Sequence, residues 1–506
     1  MPLGQLPTAK SEEKKERTDK KKPLKIRISL FFDGTLNNRI NIEEREKDSP
    51  IYKENKTDDA NSYDNGRTNI AIMEPHVSED KADYAGDYDL VYKHYIPGQG
   101  ALTKEKDSVW GYALAIGESG VPWRAEEGVR KAVNSILSDS DNINPLEQYI
   151  EKLTIDVFGF SRGAATARYA IHVLFNGRIS NIDEDTGKVY YEWKPASERI
   201  KKFIEIDEKA VEVCFAGLYD TVLSYFGSQK VEWTTDALQQ TAVGRANKSL
   251  HLAAADEHRA DFPLHRIKSA IDKGKGEEFF LPGVHSDVGG SYNLASEIEL
   301  AKQMDESKKV YMLTSNEGLM VEEGYLTGKA MVIHKGDDLA RIEKDRDDLI
   351  ELGWYKSNEI KIAATTTGVD GDRTEYALTV RRQKISSAYC NIPLKIMAKR
   401  ARKPDVKLKI NAKLEKRANK ILETDADTSN LKKLEDIINN YVDTNKNSKP
   451  DDWLGDNPPL DKERLKEIRH KHFHFSASKW SAGYKPRFEW DEAAWKFRRR
   501  RYYYEA

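Results

Sequence analysis

Short apolar runs alternate with turn residues and amphipathic segments between Leu24 and Asn293. The runs that predict strands are Ile26 to Phe32, Leu90 to Ile96, Leu153 to Phe158, Val211 to Phe215 and Glu278 to Leu281. Arg124 to Leu137 carries apolar residues at helical spacing, which predicts a helix packed against a sheet. Nearly continuous apolar strands separated by helices are typical of a mostly parallel sheet. We therefore predict an α/β core over residues 23–293.

The chain changes character on either side of this core. Residues 1–22 are polar and Lys-rich, which predicts a disordered leader, and they lack the apolar segment of a signal peptide. Residues 294–380 are highly charged and predict an insertion or cap. Residues 381–506 predict a return to the core, with helices at 392–401 and 408–442 and then a basic, aromatic tail.

Composition excludes several classes of protein. The 506 residues carry a net charge of −2, so no overall field directs the chain to nucleic acid. The sequence contains no apolar run of the roughly 18 residues that a transmembrane helix needs. With only two cysteines, the fold does not depend on disulfide bonds, which fits folding in the cytoplasm.

The motif Gly159-Phe160-Ser161-Arg162-Gly163 follows the third predicted strand and precedes an apolar helical segment. A Gly-x-Ser-x-Gly turn between a strand and a helix is the setting of a nucleophile elbow. Its glycines permit a strained turn that lifts the serine hydroxyl out of the sheet. The pentapeptide alone is a weak signal, and its position between strand and helix makes Ser161 the candidate nucleophile.

A serine nucleophile needs a base to take its proton and an acid to orient that base. Asp220 and His285 each follow a later predicted strand, so both would lie at carboxyl ends of strands, where open α/β sheets place their sites. Asp residues also form structural turns and caps. Asp287 is a second candidate acid, but it follows His285 by two residues along a turn, and Asp220 is therefore preferred.

Ordered motifs along the chain resemble those of a known family. They are Phe31-Phe32-Asp33-Gly34-Thr35-Leu36-Asn37, Thr68-Asn69-Ile70, Tyr95-Ile96-Pro97-Gly98-Gln99-Gly100, the serine turn, Leu218-Tyr219-Asp220-Thr221-Val222, Ala254-Ala255-Asp256-Glu257-His258-Arg259 and Pro282 to Gly290. This set resembles the α/β-hydrolase phospholipase effectors of bacterial type VI secretion, of the first lipase-effector class. The resemblance spans residues 25–293 and resumes at 385–397. Tyr219 replaces the usual tryptophan, and Ser291 replaces a third glycine.

The resemblance implies an α/β-hydrolase fold with helices on both faces of the sheet and a triad of Ser161, Asp220 and His285. It implies hydrolysis of phospholipid acyl esters, of A1 or A2 type, after injection into a rival bacterium. The protein would be made in the cytoplasm without a signal peptide, secreted, and active in the periplasm or at the membrane of the target cell. Its expected partners are the membrane phospholipid, a secretion spike and an immunity protein. We expect no transmembrane anchor, no nucleic acid and no cofactor.

The oxyanion hole would combine the backbone N–H of Arg162 with an N–H from a loop after an early strand. The loop Asp33-Gly34-Thr35 places Gly34 as the candidate donor, with Asp33 as a brace for the elbow. Phosphatases of the haloacid-dehalogenase type also use this tripeptide, with a nucleophilic aspartate two residues earlier. That position is Phe31 here, which argues against a phosphatase.

Other functions stay open at the level of sequence. The same triad would serve an esterase or amidase acting on a soluble or cell-wall substrate, and a catalytically silent module could instead bind a secretion spike. His472-Phe473-His474 has a spacing that permits metal binding, but no Cys or His beyond His470 lies nearby, so packing is favoured and no metal is predicted. Arg498 to Tyr504 is a candidate contact for anionic lipid headgroups.

Overall fold

The structure is a computed structural model of the chain. It describes residues 21–56, 61–107, 120–177, 179–182, 189–192, 194–223, 238–259, 262–292, 331–367, 373–380, 382, 385–445, 447–449, 451–454, 458–475, 489–491, 496–498 and 503–505. The predicted leader up to residue 20 and the first part of the predicted insertion, residues 294–330, lie outside the described residues. The four-part division of the chain stays a prediction.

The described strands begin at residue 22. They are β1 Lys22–Phe32, β2 Leu90–Ile96, β3 Gln148–Phe160, β4 Ile179–Ile182, β5 Val189–Glu192, β6 Glu205–Ile206, β7 Val211–Tyr219, β8 Lys248–Ala254, β9 Leu264–Arg266, β10 Gly276–Leu281, β11 Met331–Gly336, β12 Ile360–Thr367, β13 Arg373–Val380, β14 Glu489–Asp491, β15 Lys496–Arg498 and β16 Tyr503–Glu505.

The described α-helices are distributed over the whole length of the chain. They are α1 Arg39–Glu46, α2 Pro50–Asn55, α3 Asn69–Met73, α4 Val121–Leu137, α5 Arg162–Asn176, α6 Ala196–Lys201, α7 Lys268–Ile271, α8 His285–Gly289, α9 Leu339–Glu351, α10 Asn391–Ala401, α11 Ala412–Thr424, α12 Thr428–Thr444, α13 Asp451–Leu454 and α14 Lys462–His472.

A parallel sheet carries the core, in the order β10-β8-β7-β3-β1-β2, with β6 beside β3. Every pair of neighbouring strands in it is parallel, which confirms the predicted α/β class. The strands predicted from the sequence correspond to β1, β2, β3, β7 and β10. Sequence patterning missed β8, because Lys248, Ser249 and His251 interrupt its apolar residues. This strand lies between the two strands that precede Asp220 and His285.

Alternate residues of each strand point to opposite faces of the sheet. Both faces carry apolar residues, and helices pack on both. Ile26, Ile28 and Leu30 of β1 belong to one apolar core together with α4 and α5. Phe31 belongs to a second core, which includes α3 and the helices of the carboxyl-terminal region. Its ring stacks on Phe158 of β3, with 4.8 Å between the ring centroids.

The carboxyl-terminal region returns to the sheet, on the side of β10. Trp453 Nε1 donates a hydrogen bond to the carbonyl oxygen of Phe280 at 2.8 Å, and Tyr389 Oη donates to that of Pro282 at 2.7 Å. The predicted helical stretch at 408–442 is two helices, α11 and α12. The chain turns between them, where the N–H of Asp427 donates to Asp425 Oδ1 at 2.8 Å and so favours a turn over a continuous helix.

Part of the predicted insertion forms a small sheet-and-helix unit, whose buried residues belong to the same apolar core as the carboxyl-terminal helices. Strands β11, β13 and β12 make an antiparallel sheet in that order. Ile342 and Leu349 of α9 are fully buried, as expected for a helix packed on one face of a sheet. Whether this unit acts as a cap stays a prediction.

Candidate active site

Ser161 occupies a strained turn between β3 and α5. Its φ is 59° and its ψ is −129°, a region that residues other than glycine rarely adopt. The flanking glycines are required by close backbone contacts. A Cβ on Gly159 would lie 2.6 Å from Ala164 Cα, and a Cβ on Gly163 would lie 2.2 Å from the carbonyl oxygen of Asp33. The turn therefore has the geometry that a nucleophile elbow requires.

Asp220 lies beside this turn, at the end of the adjacent strand β7. Phe160 pairs with Tyr219 in the parallel register, and the N–H of Ser161 donates to the carbonyl oxygen of Tyr219 at 3.0 Å. Asp220 is fully buried and has a φ of 41°, which aspartate tolerates better than most residues. The N–H of Ala254 donates to Asp220 Oδ1 at 2.8 Å, which leaves Oδ2 to bind another group.

His285 is brought to Asp220 by the parallel order of the sheet. It begins α8 after β10, and its Nδ1 lies 2.5 Å from Asp220 Oδ2. The His285 ring is 4.6 Å from the Phe160 ring, centroid to centroid, and 5.0 Å from the Phe262 ring. Since Phe160, the residue before the serine, contacts the imidazole, the Ser161 turn, His285 and Asp220 lie at the same edge of the sheet. Ser161 Oγ makes no hydrogen bond to a described residue, so its proton transfer to His285 stays a prediction.

The surroundings of His285 favour its neutral form. Burial lowers the pKa of His285 below its ordinary value, the Asp220 carboxylate opposes this, and the positive charge of Arg259 adds to it. Glu257 pairs with Arg259, with Oε1 3.0 Å from Nε, and its Oε2 accepts the backbone N–H of His285 at 3.1 Å. In the sequence, Glu257 and Arg259 appear only as members of one motif of the family. Their contact with His285 was not foreseen, since residues 257 and 285 are brought together only in the folded sheet.

The loop that carries Gly34 lies against the elbow. Thr35 Oγ1 accepts a hydrogen bond from Arg162 Nε at 2.6 Å. The N–H of Gly34, however, donates to Asp33 Oδ1 at 2.7 Å. The role of Gly34 as an oxyanion donor therefore stays a prediction. In that role, the Gly34 N–H would have to leave Asp33 and donate to the substrate instead. The backbone N–H of Arg162 belongs to the first turn of α5, where helix amides point out of the amino-terminal end.

Asp33 is a buried carboxylate that braces this loop. Besides the Gly34 amide, Thr68 Oγ1 donates to it at 2.7 Å and Tyr95 Oη donates at 2.5 Å. Burial raises the pKa of Asp33 to about 6, and its three donors limit the rise. Residues 33, 68 and 95 come from separate motifs of the sequence, so the network depends on the tertiary fold.

Asp287 contacts a segment far away in the sequence and makes no hydrogen bond to the His285 ring. Its Oδ2 accepts the N–H of Val284 at 2.9 Å and that of His474 at 3.1 Å. Its Oδ1 lies 2.6 Å from His474 Nδ1. Burial raises the pKa of Asp287 well above its ordinary value. Asp287 therefore links α8 to the segment after α14.

His472 and His474 do not form a shared site. His472 is the last residue of α14 and its Nε2 lies 3.3 Å from Asp427 Oδ2, whereas His474 binds Asp287. Within the described residues, no group of three or more His, Cys, Asp or Glu side chains could hold a metal ion. No described helix is long and apolar enough to cross a membrane. Most of the basic run at 498–504 lies outside the described residues.

The parallel sheet, the strained serine turn and the Asp220–His285 pair at its carboxyl edge define an α/β protein of the α/β-hydrolase type. The chain belongs to the type VI secretion system (T6SS) phospholipase effectors of the Tle1-like family, because the model of that family's catalytic domain matches residues 27–315. This confirms the resemblance inferred from the motifs.

One of two similar solved structures supports the fold. The Tle1 effector, solved bound to the VgrG spike of the type VI secretion system, is 21% identical with a TM-score of 0.54, over 90% of this chain and 85% of that chain. An uncharacterized protein from Pseudomonas aeruginosa is 19% identical with a TM-score of 0.32, over 56% of this chain and 44% of that chain. None of the curated proteins matches the sequence.

Proposed function

We propose that this chain is an antibacterial phospholipase of the A type, which hydrolyses acyl esters of membrane phospholipids with Ser161, His285 and Asp220. The observation that carries the proposal is the 2.5 Å contact between His285 Nδ1 and Asp220 Oδ2 beside the strained Ser161 turn. Membership in the phospholipase effector family supports the substrate class.

The mechanism follows from the roles of the three groups. His285 takes the proton of Ser161 as Oγ attacks the ester carbonyl, and Asp220 holds the ring with Nδ1–H toward its carboxylate. The oxyanion is stabilised by the Arg162 amide and by Gly34, once the Gly34 N–H turns to the substrate. The resulting acyl-enzyme is hydrolysed by a water molecule that the same histidine activates, and the fatty acid leaves.

The first test is fatty-acid release from defined phospholipid vesicles by the wild type and by Ser161→Ala. We expect kcat to fall by several orders of magnitude, because loss of a triad nucleophile leaves only binding and oxyanion stabilisation. Ser269→Ala is the matched control, since Ser269 Oγ is exposed and donates only to the Thr241 carbonyl. Equal activity of all three proteins would refute the proposal.

A substrate panel separates the remaining alternative functions. An esterase or amidase with the same triad would prefer soluble esters or cell-wall fragments to vesicles, and its activity would still depend on Ser161. A silent spike-binding module would release no product from any of these substrates. Positional analysis of the released acyl chains distinguishes A1 from A2 cleavage.

We also propose two protein partners. The structural neighbour is an effector bound to a VgrG spike, and the likeness in fold supports a spike as a carrier for this chain as well. A toxic phospholipase endangers the cell that makes it, so we propose an immunity protein that blocks the Ser161 cleft. Delivery by the spike would place the enzyme in the periplasm or at the membrane of a target bacterium.

The unit formed by β11 to β13 and α9 is proposed as a cap, because residues 294–380 follow directly on α8 and the catalytic histidine. Insertions near the carboxyl edge of a sheet often control access to the site. Deleting residues 294–380 should lower activity on vesicles more than activity on a soluble short-chain ester, measured as the ratio of the two rates. An unchanged ratio would count against a cap.

A further inference from the structure

A second imidazole–carboxylate pair lies behind the turn that carries Asp220. His251 of β8 and Glu278 of β10 are directly paired in the parallel register, and both side chains are fully buried. His251 Nδ1 lies 2.9 Å from Glu278 Oε1. Glu278 is held by two more donors, Arg266 Nε at 2.6 Å and the N–H of Ile267 at 3.1 Å. The pair is therefore a rigid, fully enclosed unit.

The hydrogen bonds fix the tautomer of His251. The backbone N–H of Thr221 points at His251 Nε2, with 3.1 Å between the nitrogens. An amide N–H can only donate, so Nε2 must accept, and the ring proton must sit on Nδ1 facing Glu278. Despite the opposing effect of burial, His251 and Arg266 keep the pKa of Glu278 below its ordinary value, which supports an ionised acceptor.

The N–H that donates to His251 Nε2 belongs to the peptide bond between Asp220 and Thr221. Asp220 has a φ of 41°, so its backbone conformation needs support from its surroundings. The Asp220 N–H donates to the carbonyl of Leu252 at 2.8 Å, and the Thr221 carbonyl accepts the N–H of His265 at 3.0 Å. The hydrogen bond to His251 completes this set, because it holds the N–H of the peptide that joins Asp220 to Thr221.

We propose that His251, oriented by Glu278, is a positioning residue that holds the Asp220 turn in the geometry that aims its carboxylate at His285. It does so through the Thr221 amide and does not itself touch the reacting atoms. The inference rests on the proposed function of the triad. It assigns a role in the site to β8, the strand that sequence patterning missed. The His251 side chain of β8 positions Asp220, and the Ala254 amide of the same strand donates to the Asp220 carboxylate.

Two substitutions at one position test the role. His251→Phe keeps the volume and removes the hydrogen bonds to Glu278 and to the N–H and Oγ1 of Thr221, whereas His251→Gln retains an acceptor for the Thr221 N–H. For His251→Phe we expect kcat to fall by about 100-fold with little change in KM, since small displacements of catalytic groups have effects of that size. His251→Gln should recover most of this loss. His94→Phe is the control, because His94 is a half-buried histidine on the opposite edge strand β2, bound to Ser135.

The pH profile separates positioning from loss of folded protein. A displaced Asp220 no longer raises the pKa of His285, so the acid limb of kcat/KM should move to lower pH in His251→Phe. The groups that face His285 otherwise stay the same: Glu257, Arg259 and the rings of Phe160 and Phe262. A reduced fraction of folded enzyme would lower kcat/KM equally at every pH and leave the midpoint of the acid limb unchanged. That result would overturn the proposal.

Three further outcomes decide the matter. Nuclear magnetic resonance of the wild type with ¹⁵N-labelled histidine should show a His251 ring protonated only at Nδ1 at neutral pH, and a ring protonated at Nε2 would refute the proposed contact even if His251→Phe fails to fold. If Ser161→Ala is inactive while His251→Phe matches the His94→Phe control in kcat and pH profile, the positioning role is wrong and the triad stands. If Ser161→Ala retains activity, the proposed function itself fails.

Discussion

At the scale of single residues, the chemistry of the site depends on how His285 is surrounded. The ring is buried between Phe160 and Phe262, and its Nδ1 contacts Asp220. Burial and Arg259 lower its pKa, and the carboxylates of Asp220 and Glu257 oppose this. This balance favours the neutral imidazole, which is the form that can accept the proton of a serine.

This balance predicts the pH dependence of the enzyme. Because protonated His285 cannot act as a base, kcat/KM should fall as the pH drops through its pKa, with a midpoint below the ordinary imidazole value of about 6.5. Arg259→Met should move the midpoint to higher pH, because a nearby positive charge is removed. Glu257→Gln should move it to lower pH. A pH–rate series of the three proteins measures this, and shifts of the same sign would contradict the assignment.

At the scale of elements, the short helix α8 is held in place by a segment nearly two hundred residues away in the sequence. His474 binds Asp287 of α8 through both its backbone N–H and its ring, and the Tyr292 ring stacks on it with 3.6 Å between centroids. Since α8 begins with His285, this contact couples the carboxyl-terminal region to the proposed catalytic base.

The prediction for this contact compares two histidines of the same segment. His474→Ala removes the ring that binds the buried Asp287 Oδ1 and keeps the backbone N–H, so we expect a loss of about 1–3 kcal/mol in stability and a fall in kcat of the remaining folded enzyme. His472→Ala is the control, because its partner Asp427 lies in the turn before α12 and keeps Lys471 and Asn430 as partners. Urea unfolding and vesicle hydrolysis measure the two effects. Equal kcat for both variants would show that α8 needs no such support.

At the scale of the whole molecule, a buried ion pair joins the sheet to the carboxyl-terminal region. Arg27 of β1 and Asp156 of β3 are fully buried and bound through two hydrogen bonds, Nε to Oδ2 at 2.7 Å and Nη2 to Oδ1 at 3.0 Å. Arg27 Nη2 also donates to the carbonyl oxygen of Val406 at 2.9 Å. The pair thus holds two central strands and the loop after α10 together.

Removing one partner of this pair should destabilise the protein strongly. Asp156→Ala leaves a buried guanidinium without its counter-ion, and the expected loss is about 3–5 kcal/mol in the free energy of unfolding. Asp272→Ala, which breaks the exposed pair with Lys268, should cost less than about 1 kcal/mol. The double variant Arg27→Met/Asp156→Leu should recover part of the loss. Unfolding in urea measures all three, and a small effect of Asp156→Ala would argue against a structural role for the pair.

The sequence determined the features whose causes are contiguous in the chain. The strands β1, β2, β3, β7 and β10, the serine turn and the helix after it follow from neighbouring apolar residues and from Gly159 and Gly163, whose backbones must approach their surroundings closely. Order along the chain also sufficed to propose Asp220 and His285, because parallel strands bring their carboxyl ends to one edge.

Tertiary structure alone decided what lies around these residues. It inserted β8 between β7 and β10, directed the Gly34 amide to Asp33, and joined Asp287 to His474. Such contacts depend on which strands become neighbours and which buried polar groups then find partners. No local propensity encodes that choice, because the energy of each hydrogen bond is gained only after distant segments have been brought together.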